Sequence, residues 1–299
     1  MSKSRNASGL AKRIVRQTSL KRATASRLAK QVHVYPGPSV VDSPNPHQRR
    51  LEAHMAHVLA SSFKDHQLNG ALLGVRAAEP AGQSVKLILD SDMADEVLRE
   101  LLPRFDRFYG GVRGVAGLRV RGNERELNLH VATGSAHVTV ARADGFPIRL
   151  PSARDGERLL WRRVPDGLSR DEKQEAAEWA DSRGIEDLWV RDLLLSRILR
   201  RPDLVNRTAE PHGFANCYTH HLGDLVIEWC CGDTVEALCA VLLAHGFADE
   251  IPRANVIELT SRHSAHLGNR TVILNRHASC QYGHHVKDIA ESIRKRYES

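Results

Sequence analysis

At two places in the chain an alternating apolar run passes directly into an amphipathic helical pattern: SVKLILDSDMADEVLRELL from Ser84 and DLVIEWCCGDTVEALCAVLL from Asp224. In each, the hydrophobic period changes from 2 to 3.6 within a few residues, which specifies a half-buried strand followed by a helix. A strand paired with its neighbours and covered by its own helix is the basic piece of an α+β domain. The two occurrences therefore predict two such units, each of the form helix–strand–strand–helix–strand–strand.

The surrounding sequence fits that pattern. Leu51, Met55, Val58, Leu59 and Phe63 lie at helical spacing and predict a helix over 48–66, with His54 and His57 off the stripe on a solvated face. ALLGVRA and SVKLILD read as a hairpin with EPAGQ as its loop. VAGLRVRG and ELNLHVAT read as strands, and SAHVTVARADGFPIRLP as a further hairpin turning near residues 143–145. Ser169 and Glu172 form a capping-box pair opening a helix that Gly184 ends, and Pro202 stops the helix after it. ANCYTHH, DLVIEWCC, NVIELTS and RTVILNRH are the strands of the second unit, and HVKDIAESIRKRY is a closing helix. Leu87 and Leu89 are expected in the core beneath one helix, as Leu225 and Ile227 are beneath the other. The resulting division is a basic arm and Pro-rich linker over 1–47, a first α+β domain over 48–150, a connection over 151–168 and a second α+β domain over 169–299.

Charge is distributed unevenly. Residues 1–41 hold Lys3, Arg5, Lys12, Arg13, Arg16, Lys21, Arg22, Arg27 and Lys30 and no acid, so the body carries a net −2 within a chain of formal net charge +7. Such an arm suits a polyanion, because each neutralised phosphate releases condensed counterions. With no sustained apolar face it reads as disordered. It has no aromatic residue before Tyr35, so it would grip backbone without stacking on bases. An acid-free, Ser- and Arg-rich arm also has the composition of an organelle transit peptide. No apolar run reaches the roughly 20 residues a membrane span needs, and no apolar leader core is visible. Five cysteines, two of them adjacent, do not form a disulfide framework. A cytoplasmic protein is expected.

The order of elements over 186–297 resembles the LAGLIDADG unit of homing endonucleases and the bacterial regulators derived from them. The resemblance is one of topology. The family places small residues and a metal-binding acid at the end of its first helix. The corresponding stretches here are Leu59–His66 and Leu194–Leu204, with Asp65 and Asp203 as the matching acids. Arg200, Arg201 and Pro202 stand where the small residues would pack. The resemblance implies DNA binding without cleavage.

Two patches carry other chemistry. His137 and Thr139 in AHVTVA resemble half of the paired H-x-S/T pattern of 2H phosphoesterases, whose two histidines act as base and acid across a phosphodiester. His277 with Ser279 is the matching second half. In NCYTHHLGDLVIEWCCGD, a two-residue turn at Gly223-Asp224 would set Cys217 opposite Cys230. Zinc could then take both sulfurs and at least one of His263, His277 and Cys280; two reduced cysteines packed beneath a helix is the competing account. Tyr282 with His284 or His285 has the residue types of a phosphotyrosyl-transfer site. The glycines of FYGGVRG match no phosphate-loop spacing and read as turns. The leading expectation is a nucleic-acid-binding protein, regulatory or associated with a mobile element. A metal- or histidine-dependent phosphodiesterase and a protein-interaction scaffold are the alternatives.

Overall fold

The computed structural model describes residues 2–31, 40–63, 71–162, 167–181, 188–208, 215–219, 225–247, 257–261, 264–267 and 272–277. It is an α+β structure. Helices are α1 (Ser2–Thr18), α2 (Arg22–Gln31), α3 (Pro46–Phe63), α4 (Ala94–Leu101), α5 (Arg170–Asp181), α6 (Leu188–Arg200), α7 (Pro202–Asn206) and α8 (Val235–Ala244). Strands are β1 (Val75–Ala81), β2 (Ser84–Leu89), β3 (Arg104–Asp106), β4 (Gly111–Arg113), β5 (Leu118–Asn123), β6 (Glu126–Val131), β7 (His137–Arg142), β8 (Glu157–Leu159), β9 (Ala215–Thr219), β10 (Leu225–Trp229), β11 (Ile257–Ser261), β12 (Ser264–Leu267) and β13 (Val272–Arg276).

Two five-stranded sheets run β1-β2-β7-β6-β5 and β9-β10-β13-β12-β11. In each, the only parallel neighbours are the central pair, β2 with β7 and β10 with β13, and every other pair is antiparallel. The two sheets thus share one order and one set of strand senses. Leu87, Leu89, Leu225 and Ile227 are all completely buried. Each five-stranded sheet takes three strands from the chain after its unit's second helix, where the sequence pattern suggested two; β3 and β4, which also follow α4, belong to a different sheet. Of the four strands expected over 115–150, three form the meander β5, β6 and β7, and residues 147–150, expected as the second arm of a hairpin, join no sheet. The β1–β2 turn is the two residues Gly82-Gln83, shorter than the expected EPAGQ loop.

The segment 151–168, expected to connect domains, contributes β8 to a third, small sheet ordered β4-β3-β8. One continuous hydrophobic cluster joins α3, α4 and the first sheet to α6, α8 and the second. At its centre α3 packs along α6, and a polar tie between them is buried. Arg200 Nε and a terminal nitrogen donate to the two oxygens of Glu52, at 2.7 and 2.8 Å. Ser196 Oγ donates to the same carboxylate, as does Gln48 Nε2. Arg197 and Arg201 donate to Asp42, and Arg200 also reaches the carbonyls of Val41, Gly82 and Ser84. The arginines that depart from the LAGLIDADG pattern therefore bind the 40–43 segment and the β1–β2 turn to the helix pair.

The arm is not disordered. α1 and α2 form a helical hairpin whose inner side is Leu10, Ala11, Ile14, Leu20, Ala25, Leu28 and Ala29. This cluster rests on Ala77 of β1 and Ile88 of β2, on the side of the first sheet away from its core. Ser19, at φ 53°, turns the chain between the helices, and Thr18 Oγ1 donates to the Ile14 carbonyl. The apolar stripe was missed because it is short and relies on alanines, which carry little hydrophobic weight until they meet a surface.

Candidate nucleic-acid interface

Docking the hairpin through one side leaves its cations on the other. Lys12, Arg16, Lys21, Arg22, Arg27 and Lys30 are exposed, and Arg13 is half-buried. Of these, Arg27 is paired with Glu79 of β1. Lys3 and Arg5 lie in the first turn of α1, with side chains outside the described residues. The end of α1 is fixed to the second half of the molecule. Ser19 Oγ donates to Asp203 of α7 at 2.5 Å, and Gln17 Nε2 lies 3.1 Å from Nδ1 of His245, the residue that caps α8. Burial depresses the His245 pKa, and the charges of Arg16, Arg207, Arg13 and Arg201 depress it further. Four guanidinium groups thus act on one imidazole, which places a positive field where α1 meets α8.

Beside the hairpin, the outer face of the first sheet is polar. Strand register aligns Lys86, Thr139, Asn128 and Arg121 in one row across β2, β7, β6 and β5. The next row holds His137, His130 and Arg119. Neighbouring strands are about 4.8 Å apart, so the first row spaces its polar groups at regular steps over roughly 15 Å, whereas the second ends on a buried Arg119. Lys86 is engaged by Glu126 at 2.5 Å and Arg119 by Glu172 at 2.8 Å, whereas Arg121 is exposed.

The other sequence-derived candidates are distributed as follows. His137 stands at the start of β7 with Nδ1 3.1 Å from the Ser135 carbonyl, and Thr139 faces outward two residues on. His277 follows the last residue of β13, its amide donating to the Trp229 carbonyl. Because β7 and β13 occupy the same place in their two sheets, the two histidines sit at opposite ends of corresponding strands. The 2H pattern needs both rings on one phosphodiester. Cys217 lies opposite Ile227, not Cys230, because Thr219 pairs with Leu225. The pairing of Thr219 with Leu225 differs from the expected one, in which Leu222 faces Leu225; residues 220–224 lie outside the described residues. That odd shift turns the Cys217 side chain to the core face with Leu225, Ile227 and Trp229. Its thiol is pushed up to about 12 by burial. Cys230 follows β10, with Sγ 3.6 Å from that of Cys231. Among the described residues no three His, Cys, Asp or Glu side chains gather as metal ligands. His263, Cys280, Tyr282, His284, His285 and Asp65 lie outside the described residues.

His54, expected on a solvated face, is buried, and His57 beside it is half-buried. Trp179 of α5 stacks on His54 with ring centroids 4.3 Å apart and 7° between planes, and Arg191 covers the Trp179 ring at 3.8 Å. Burial drives the His54 pKa down to about 3. A cleft of about 460 Å³ opens beside this stack, between α3, α5 and the β6–β7 loop, with Leu51, Val131 and Leu168 among its walls and Arg50 at its edge.

The feature that sequence reading passed over is the β3–β4 hairpin. Its tip, Phe108 and Tyr109, is exposed, and Arg107 and Arg113 lie against the two rings. The signal was present in RFYGGVR, where aromatic and basic residues flank turn glycines, although the glycines alone had drawn the reading. Compared with protein-family models, with curated proteins and with solved structures, the chain matches none.

Proposed function

We propose that the protein binds nucleic acid through the outer side of the α1–α2 hairpin, with the polar outer face of the first sheet continuing the contact surface. One observation carries this reading: the hairpin is docked by its apolar side, so Lys12, Arg16, Lys21, Arg22 and Lys30 are held outward on one fixed surface within a segment free of acids. Cations preorganised in this way bind a regular array of phosphates without first ordering a flexible tail. The contact is to backbone, so it supplies affinity and orientation and leaves sequence readout to other groups. No described helix is long and apolar enough to cross a membrane.

The test replaces those five residues with glutamine. All five are exposed, so the fold should survive with stability changed by no more than about 0.5 kcal/mol per site. Binding to duplex DNA should weaken, and the slope of log K against log salt should flatten by about 0.9 for each phosphate contact removed. Anionic phospholipid vesicles form the comparison arm. An unchanged salt slope on DNA, or a preference for the vesicles, would overturn the proposal.

A further inference from the structure

We infer that the β3–β4 hairpin is a base-stacking contact for single-stranded nucleic acid, an inference that rests on the nucleic-acid reading above and names the form of substrate. Phe108 is 69% exposed and Tyr109 62% exposed, among the described residues the two most exposed large hydrophobic side chains apart from Phe146 at 67%. Neither is a loose side chain on a loose loop. The Asp106 carboxylate accepts from the amides of Phe108 and Tyr109 at 2.9 and 3.2 Å, and Arg113 Nε donates to its other oxygen at 3.0 Å. The Gly110 amide closes the turn on the Asp106 carbonyl at 2.9 Å. The hairpin root is anchored by Arg104, which donates to Glu100 at 3.0 Å and whose strand also pairs with β8.

Each ring is backed on one side. Arg113 lies 4.5 Å from the Tyr109 centroid. Phe108 lies against Gly156, where an added Cβ would come within 2.5 Å of the ring, and Arg107 lies 5.2 Å from its centroid. A ring with one side supported and most of its area in solvent is a stacking platform, and every base has a π-face to offer it. The guanidinium groups beside the rings supply the matching charge for the phosphates between bases. A duplex keeps its bases stacked on one another and cannot use such a surface, so the platform distinguishes single strands from duplexes. It also adds what the aromatic-free arm lacks.

The experiment uses the full chain with an oligothymidylate of about 20 nucleotides, longer than a single-strand site of about 4–16, its oligouridylate counterpart, and the duplex of the same length. In the Phe108→Ala, Tyr109→Ala double variant, single-strand affinity should fall roughly five- to hundredfold. Its salt slope and its duplex affinity should stay at the wild-type values. Phe108→Leu, Tyr109→Leu keeps an apolar tip and should show the same loss, separating stacking from burial against a protein partner. Single-strand binding left at the wild-type level would overturn the inference, as would an equal loss on duplex. Those results leave the arm reading intact when the five-glutamine variant still flattens the salt slope. A wild-type protein that binds none of the three probes overturns both.

Discussion

Glu52 of α3 and Arg200 of α6 form a two-bond ion pair with both side chains fully buried, at 2.7 and 2.8 Å. It ties together the helices on which the two sheets are built. Taking such a pair out of water is expensive, and the return depends on every remaining polar atom finding a partner. Here Ser196 and Gln48 complete the carboxylate and three backbone carbonyls complete the guanidinium.

Removing one partner should therefore be far worse than removing both. Glu52→Leu should lower unfolding free energy by about 3–5 kcal/mol, since it strands the Arg200 charge. Glu52→Leu with Arg200→Met should recover most of that loss. Urea unfolding of the two single variants and the double variant gives the coupling directly; additive losses would show that the pair is not the central tie.

His54 titrates in a way that couples stability to acid. Burial lowers its folded pKa to about 3, against an ordinary value of 6.5, with the His57 and Arg191 charges acting in the same direction. Between those two values the unfolded chain holds a proton that the folded chain does not. Stability should fall as the pH drops from about 6.5 toward 3, by up to about 1.4 kcal/mol per pH unit from this residue. His57 and His245, also lowered by burial, add to the same slope. His54→Phe keeps a ring against Trp179 and should reduce the slope of unfolding free energy against pH in that window.

Glu172 has two structural tasks. It closes the capping box with Ser169, accepting from the Ser169 amide at 3.0 Å while its own amide donates to Ser169 Oγ at 3.2 Å. It also accepts from Arg119 and from the Gly117 amide. Ser169→Ala should cost about 1 kcal/mol, the usual worth of a cap. Glu172→Ala should cost more, because Arg119 is left buried without its carboxylate. Thermal melts of the two variants would rank them.

Deleting residues 1–34 should destabilise the protein, because the hairpin buries Leu10, Ile14, Leu20 and Leu28 and covers Ala77 and Ile88. Each large apolar side chain buried contributes about 1.5–3 kcal/mol before chain entropy is counted. A lowered Tm together with new binding of a hydrophobic dye is the expected result. An unchanged Tm would mean the arm rests on the sheet without stabilising it.

Cysteine reactivity checks the register of β9 with β10. Cys217 is in the core with its thiol pushed up to about 12 by burial, and Cys231 is half-exposed. A thiol reagent at pH 8 should label Cys231 in the native protein and Cys217 only on unfolding, as read by peptide mass mapping. Rapid native labelling of Cys217 would place it on the outer face.

The sequence by itself determined the local elements. The change of hydrophobic period at Leu89 and at Trp229 specified strand then helix, Ser169 and Glu172 specified a helix start, and Leu87, Leu89, Leu225 and Ile227 announced the core. These are short-range facts, fixed by spacing along the chain. Tertiary structure decided everything that depends on a distant partner. Leu10 and Ile14 make an arm into a docked hairpin only because Ala77 and Ile88 lie beneath them. His54 is buried only because Trp179, far along the chain, lies flat against it. Cys217 turned inward because β9 pairs with β10 three residues away from the expected register, and an odd shift in register exchanges the faces of a strand. The surface is decided in the same way: which side of a helix or hairpin faces water depends on what the other side has already covered.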